Sequence, residues 1–394
     1  MRVAYVCADA GVPIFGHKGC SVHVQELVRA LLRQGAAVDL IASRVDGTPS
    51  PGLESLRVYP LPSVGDGEPP AHTALVAGLN QALVATLQRA GPYDLIYERY
   101  SLWSFAGLEQ ARTAGTPCLL EVNAPLIEEQ ARHRGLRDGT AAIAAAEQAF
   151  LAATALLAVS TEVADWLKRV HSVKRPVHVL PNGVDPQRFR PDVPPTESAE
   201  SFTVGFTGSM KAWHGLDVLI EAFARLHARD AATRLMLIGT GPEAAAVQAG
   251  LADRGLEPAS RLVGAVSPDA VPGYVTSMDA AVAPYAAYTD FYFSPLKVYE
   301  YLAAGRAVVA SDVGQLKTLI RHDVNGLLVP PGDPVALAAA LERLLREPRL
   351  RERLGEAGRA SVLHDHTWDA VAAQVLRLAG RATPRARVGA RTRT

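Results

Sequence analysis

Short aliphatic and β-branched runs alternate with longer segments of helical period along this 394-residue chain, and a proline-rich stretch splits the pattern in two. Parallel strands cannot be joined by tight turns, so each needs a crossover, which a helix usually supplies. The pattern therefore predicts an α/β protein of two doubly wound halves. Expected strands in the first half are Arg2–Cys7, Ala37–Ala42, Leu56–Tyr59, Leu95–Tyr97, Cys118–Val122 and Leu156–Val159. Expected helices include Ser21–Gln34, Ala74–Arg89 and Thr161–Val170. After Asp185 the segment Pro186–Pro195 breaks the period. Strands are expected again at Phe202–Phe206, Arg234–Ile238, Arg261–Val263, Ala280–Ala283, Ala307–Ala310 and Gly326–Val329, and a last helix at Trp368–Leu378.

Composition narrows the function classes. Hydrophobic residues make up 48% and charged residues 20%, which excludes disorder for most of the chain. Lys+Arg and Asp+Glu both total 40, so the basic excess of a nucleic-acid binder is missing. Three scattered cysteines, Cys7, Cys20 and Cys118, make neither a disulfide framework nor a thiolate zinc site and point to a reducing cytoplasm. The opening apolar run is too short for a signal peptide. Ala141–Val159 is apolar enough to suggest a membrane span, but Glu147 and Gln148 stand near its middle. It is expected to be a helix, 140–153, followed by a buried strand. Arg381–Thr394 holds five arginines and no acid and is expected to be a disordered basic tail, with contact at the inner face of a membrane as the alternative.

Four segments carry chemistry. Gly16-His17-Lys18-Gly19-Cys20-Ser21 is a glycine loop leading into a helix, where backbone N–H groups can meet an anion. Leu180-Pro181-Asn182-Gly183-Val184-Asp185 is a sharp turn before the linker. Gly208-Ser209-Met210-Lys211-Ala212-Trp213-His214-Gly215 brings two groups able to carry positive charge, Lys211 and His214, to a strand end. In Phe293-Ser294-Pro295-Leu296-Lys297, Ser294 is a good N-cap and Pro295 a good first helical residue, so a helix should start there with Lys297 in its first turn. Glu300, six residues past that cap, would stand about 9 Å along the axis, where it could accept hydrogen bonds from a diol. No G-x-G-x-x-G follows the first strand, no Walker A loop occurs, and there is no Asp-x-Asp pair to hold a divalent ion. His364-Asp365-His366 offers two imidazoles without a third ligand, so no metal site is expected.

In order and spacing these segments resemble the retaining glycosyltransferases of family 4, over nearly the whole chain. Further landmarks are Val159-Ser160, Gly239-Thr240-Gly241-Pro242-Glu243 and Asn325-Gly326-Leu327-Leu328-Val329-Pro330. The resemblance implies the GT-B fold, two Rossmann-like domains facing a central cleft. It implies an acceptor domain at 1–185, a linker at 186–201, a nucleotide-sugar domain at 202–366, and a helix at 367–380 returning to the first domain. Donor contacts implied by position are Gly16, Gly19, Gly208, Ser209, His214, Gly241, Ser294, Leu296, Lys297 and Glu300, with Glu300 holding the ribose. Lys211, Asn123 and Glu300 are the implied catalytic set.

The chain departs from the family pattern in four places. Ser209 stands where relatives have Arg, and His214 where they have Lys, so Lys211 is expected to supply the missing cation. Tyr292 replaces the first Glu of the Glu-x7-Glu element, with Asp290 a nearby substitute. Asn123 replaces a histidine beside the anomeric centre and cannot act as a base. Gly314-Gln315-Leu316-Lys317 replaces a more usual Gly-Gly-x-x-Glu. For the acceptor, Glu98 and Arg99 at a strand end are candidates, with mutual pairing as the alternative. The segment 125–137 is expected to be a solvated helix or a polar lid.

The function implied is transfer of a sugar from a UDP- or GDP-sugar to a sugar, lipid-linked or small-molecule hydroxyl, without metal or cofactor. A monomer or weak dimer is expected. The alternatives are a nucleotide-sugar epimerase, which needs no acceptor, and a catalytically silent accessory subunit.

Overall fold

A computed structural model describes residues 1–64, 71–133, 135, 136, 138–170, 173–197, 201–286 and 291–382. Its first sheet holds β1 (Arg2–Cys7), β2 (Ala37–Ala42), β3 (Arg57–Pro60), β4 (Leu95–Arg99), β5 (Cys118–Val122), β6 (Ala155–Ala158) and β7 (Val177–Val179). All paired strands run parallel, in the order β3-β2-β1-β4-β5-β6-β7. The second holds β8 (Thr203–Thr207), β9 (Arg234–Ile238), β10 (Ser260–Gly264), β11 (Ala280–Ala283), β12 (Ala307–Ser311) and β13 (Leu327–Val329), also parallel, in the order β10-β9-β8-β11-β12-β13. Strand order reverses between β1 and β4 and again between β8 and β11. In open α/β sheets such reversals leave a crevice at the carboxyl ends of the strands.

Both faces of each sheet are covered, so the strands read as continuous apolar runs. In β1, Val3, Tyr5 and Cys7 pack into one layer while Ala4 and Val6 pack into the other. Twelve strands stand where the period placed them, within two residues at any end. β7 is the additional one, three residues too short and too polar to show as a period. The suspected membrane span is the helix Gly139–Ala152 followed by β6. Asp138 caps that helix by accepting from Ala141 N at 2.9 Å. Among the described residues no helix is long and apolar enough to cross a membrane.

The chain crosses between the sheets twice. The outgoing crossing follows β7, and the returning one enters the helix Trp368–Ala382. That helix lays Trp368, Val371, Ala372 and Val375 against Val24 and Leu27 of the helix Gly19–Arg33 on the first sheet. Arg33 Nη2 pairs with Asp369 at 2.8 Å beside them. Trp368 is 2% exposed, so its loss should cost about 3–5 kcal/mol. Residues 383–394, most of the basic tail, lie outside the described residues.

Candidate active site

The carboxyl ends of the two sheets face each other, and polar groups bridge them directly. Ser160 Oγ donates to Tyr292 O at 2.9 Å, Gln315 Nε2 to Val159 O at 3.0 Å, and Asn182 Nδ2 to Ser294 O at 2.6 Å. A Cβ added at Gly19 would lie 3.8 Å from Leu296 Cδ1, so the first glycine loop meets the start of the helix Leu296–Ala303.

Lys297 is the centre of the second-domain half. Its side chain is 9% exposed, and its Nζ has no hydrogen-bond partner among the described residues. The ammonium lies 3.8 Å from the Phe206 ring centroid and 5.7 Å from that of Tyr285. Gly208, with φ +138°, closes the other side; a Cβ there would approach Nζ to 2.8 Å. Burial pulls the Lys297 pKa down to about 7, against the opposing pull of Glu300 on the same helix. A buried cation without an acceptor costs free energy until an anion arrives.

Glu300 is half-buried, and burial pushes its carboxyl up to about 7; Glu26 adds to this while Arg188 and Lys297 oppose it. Arg188 itself bridges the domains, paired with Glu26 of the first and donating to Pro268 O at 2.9 Å in the second. The loop after β8 is held by backbone approach. A Cβ at Gly239 would strike Gly208 O, one at Gly241 would strike Met210, and one at Gly215 would strike Pro284 O. Thus Gly241 shapes this loop. Lys211 lies over the Trp213 ring at 4.5 Å, and Ser209 is exposed.

Several expectations need correction. His214 is not a second cation: its ring packs among Phe206, Trp213 and Tyr285, and its Nδ1 meets Ser209 O. Burial, aided by the Lys297 and Lys211 charges, lowers its pKa to about 3, so it is neutral at physiological pH. Ser294 does not cap its helix. Pro295 is the cap position, and the Ser294 hydroxyl accepts from Asn182 N at 3.1 Å.

Glu98 is fully buried on the far face of β4, where Ser104 Oγ donates to it at 2.5 Å; it cannot touch an acceptor. Arg99 points the other way and donates to Glu121 at 3.4 Å, because successive strand residues alternate faces. The two therefore do not pair. Of the two expectations for segment 125–137, a solvated helix or a polar lid, the helix Leu126–His133 is not simply solvated: Glu128 accepts from Trp166 Nε1 at 2.8 Å, and Glu129 from the Tyr292 hydroxyl across the cleft. Asp290 lies outside the described residues.

In the first domain, Asn123 follows β5, and its buried Nδ2 lies beside the Glu121 carboxylate, which it helps to hold ionised. Gly16 N donates to Pro13 O at 2.9 Å, which tightens the loop after β1. Sequence reasoning passed over His23, Glu121, Glu26, Arg188 and Phe206. The available signal was a histidine on the apolar face of the helix Gly19–Arg33, flanked by Val22 and Val24. Among the described residues no group of three His, Cys, Asp or Glu is arranged to hold a metal.

The chain matches two sequence-family models, Glycosyltransferase Family 4 over residues 17–188 and Glycosyl transferases group 1 over residues 201–347. It is 29% identical to a D-inositol 3-phosphate glycosyltransferase of Xylanimonas cellulosilytica, across 93% of this chain and 92% of that one. It is 27% identical to one from Salinispora arenicola, across 92% and 87%. Its fold is similar to sucrose-phosphate synthase from Thermosynechococcus elongatus, with TM-score 0.76 and 23% identity over 97% and 98% of the chains. It is also similar to Anabaena HepE solved with UDP-glucose, with TM-score 0.72 and 18% identity over 97% and 100%. Two facing parallel sheets, a returning helix and matches on both halves place the chain in the glycosyltransferase family 4, a GT-B enzyme of the group 1 glycosyl transferases.

Proposed function

We propose that the protein transfers a sugar from a UDP- or GDP-sugar to an acceptor hydroxyl, with retention at the anomeric carbon and without a metal ion. The observation that carries this is the buried Lys297 ammonium, unpartnered and facing Gly208 at the strand-order reversal. A diphosphate there would supply the missing counter-charge, and the N–H groups opening the helix Leu296–Ala303 would add donors. Lys211 would meet the same diphosphate from the loop after β8, beside Ser209 and Gly208. Glu300, one turn beyond Lys297, would accept hydrogen bonds from the ribose diol. On the first-domain side, Gly16, Gly19 and Asn123 would close over the sugar.

The chemistry asks for placement more than for a base. The bond from the anomeric carbon to the diphosphate oxygen breaks, and the diphosphate leaves with the electron pair. The acceptor oxygen attacks from the same face, and its proton passes to the departing phosphate oxygen. Lys297 and Lys211 stabilise the charge that grows on the leaving group. The interdomain bonds at Tyr292, Ser294 and Gln315 would keep water out of the closed cleft.

The named activity of the relatives makes D-inositol 3-phosphate a first acceptor to try, beside sugars and lipid-linked acceptors. Free cysteines, two buried and one half-buried, support a cytoplasmic setting, and a monomer or weak dimer is the assembly we assign. Turnover of UDP- and GDP-sugars, each with and without acceptor, tests this. Sugar transfer that needs an acceptor supports it, and a donor that only epimerises overturns it.

A further inference from the structure

A buried polar chain runs between the domains, and the donor contacts proposed above do not use it. Arg99 Nη1 donates to Glu121 Oε2 at 3.4 Å, and Glu121 Oε1 lies 2.6 Å from His23 Nε2. His23 Nδ1 lies 2.7 Å from Asn182 Oδ1, and Asn182 Nδ2 donates to Ser294 O at 2.6 Å. A second bond, Asn182 N to Ser294 Oγ, doubles that last link. His23, Glu121 and Asn182 are 4%, 4% and 8% exposed, so water cannot replace a lost partner cheaply. The Asn182 amide has one workable orientation. Its NH2 must face the Ser294 carbonyl, which leaves its oxygen toward His23 and makes Nδ1–H the donor.

The same ring touches the returning crossing. His23 stands edge-on to Trp368, with centroids 5.0 Å apart and planes at 85°. Trp368 N donates to Val184 O at 3.1 Å, and Val184 N to His366 O at 2.9 Å. A Cβ at Gly183 would come within 2.6 Å of Trp368 N, so the two crossings lie backbone against backbone. His23 therefore contacts both crossings at once, as Arg33 does at the surface through Asp185 and Asp369.

We propose that His23 is a positioning residue for donor binding. It fixes Asn182, and through Asn182 it fixes the Ser294 main chain from which Lys297 and Glu300 enter the cleft. The proposal rests on the donor assignment above. Neither His23 nor Asn182 is among the proposed nucleotide contacts, and Ser294 is the route to the site that changes at both residues would share.

The test is UDP affinity, measured by calorimetry on four folded proteins: the parent, His23→Leu, Asn182→Ala and the double variant. Each single change should weaken UDP about tenfold. The double variant should bind no more than about twofold weaker than the poorer single one, since one link is cut either way. His23→Gln keeps an N–H for Asn182 but turns its carbonyl oxygen toward the Glu121 carboxylate, so it is combined with Glu121→Gln. His23→Gln/Glu121→Gln should bind within about threefold of the parent and also serves if His23→Leu does not fold. A lower melting temperature with unchanged UDP affinity in His23→Leu means plain packing and overturns the proposal. So does a His23→Leu/Asn182→Ala protein about a hundredfold weaker, or a His23→Gln/Glu121→Gln protein as poor as His23→Leu. A parent that binds neither UDP nor GDP removes the donor assignment itself, and this proposal with it; each of the other failures leaves that assignment standing.

Discussion

Lys297 Nζ sits 3.8 Å from the centre of the Phe206 ring, with Gly208 on its other side and no hydrogen-bond acceptor among the described residues. Such an arrangement is unfavourable for the empty protein and useful only when an anion arrives. Lys297→Met should therefore raise the melting temperature of the ligand-free protein and weaken UDP binding at least tenfold. The sign with pH follows from the lowered pKa. The unfolded lysine keeps its proton up to 10.5, whereas the folded one releases it near 7, so the native penalty is full below 7 and fades between 7 and 10.5. The stabilisation by Lys297→Met should shrink across that window. Equal stabilisation at pH 7 and pH 10 would contradict the assignment.

Glu300 makes the opposite demand on pH. Its carboxyl, raised to about 7 chiefly by burial, offers both oxygens as charged acceptors to a ribose diol only when ionised. Because Lys297 gains charge over the same range, the Glu300 contribution is read from the difference between parent and Glu300→Gln: roughly tenfold in UDP affinity at pH 8, narrowing as pH drops to 6. Titration of UDP at three pH values in both proteins decides it. A variant with the parent's affinity and the parent's slope would take Glu300 out of the site.

Turnover should survive a chelator, since the described residues offer no metal cluster and the two lysines can carry the leaving-group charge. Loss of sugar transfer in EDTA, restored by manganese or magnesium, would contradict this.

Strand alternation and helix period were legible because they are local, and so was the loop-helix placement of Lys211, Lys297 and Glu300. Glu98 and Arg99 became strand neighbours, facing opposite ways, only because β4 runs two residues past its expected end at Tyr97. Ser294 was a different case. Its hydroxyl satisfies every local rule for a cap, but Asn182, 112 residues earlier, takes it. The burial of His214 depends on Phe206, Trp213 and Tyr285 meeting around it, which no single segment reveals. Tyr292 looked like a lost carboxylate, yet its hydroxyl reaches Glu129 across the cleft. What stayed hidden was therefore mostly contact between the domains.

His214 bears directly on the lysine assignment. With its pKa lowered to about 3, mainly by burial, the ring cannot become a phosphate cation near pH 6. Lys211→Ala should slow transfer more than tenfold at both pH 6 and pH 8. His214→Phe, which keeps the ring and drops the bond to Ser209 O, should have a smaller effect that is the same at both values. Second-order transfer rates of the two variants at each pH are the measurement. A His214→Phe defect that appears only at pH 6 would mean that the ring does carry charge.

Glu98 supplies a test that separates the core from the site. It is fully buried and receives one hydrogen bond from Ser104, and its second oxygen has no partner among the described residues. Burial raises its carboxyl from 4.5 to about 7. The folded state thus holds its proton where the unfolded chain would release it. The favourable balance is complete below 4.5 and is lost as pH rises to about 7, leaving a buried charge above that. Glu98→Gln keeps the size and removes the charge, so the melting temperature should rise at pH 8 and change little at pH 4.5. Transfer rate and acceptor KM should stay within about twofold of the parent, because the side chain faces away from the cleft. An acceptor KM raised tenfold in a protein of undiminished stability would return Glu98 to the acceptor site and overturn its place in the core.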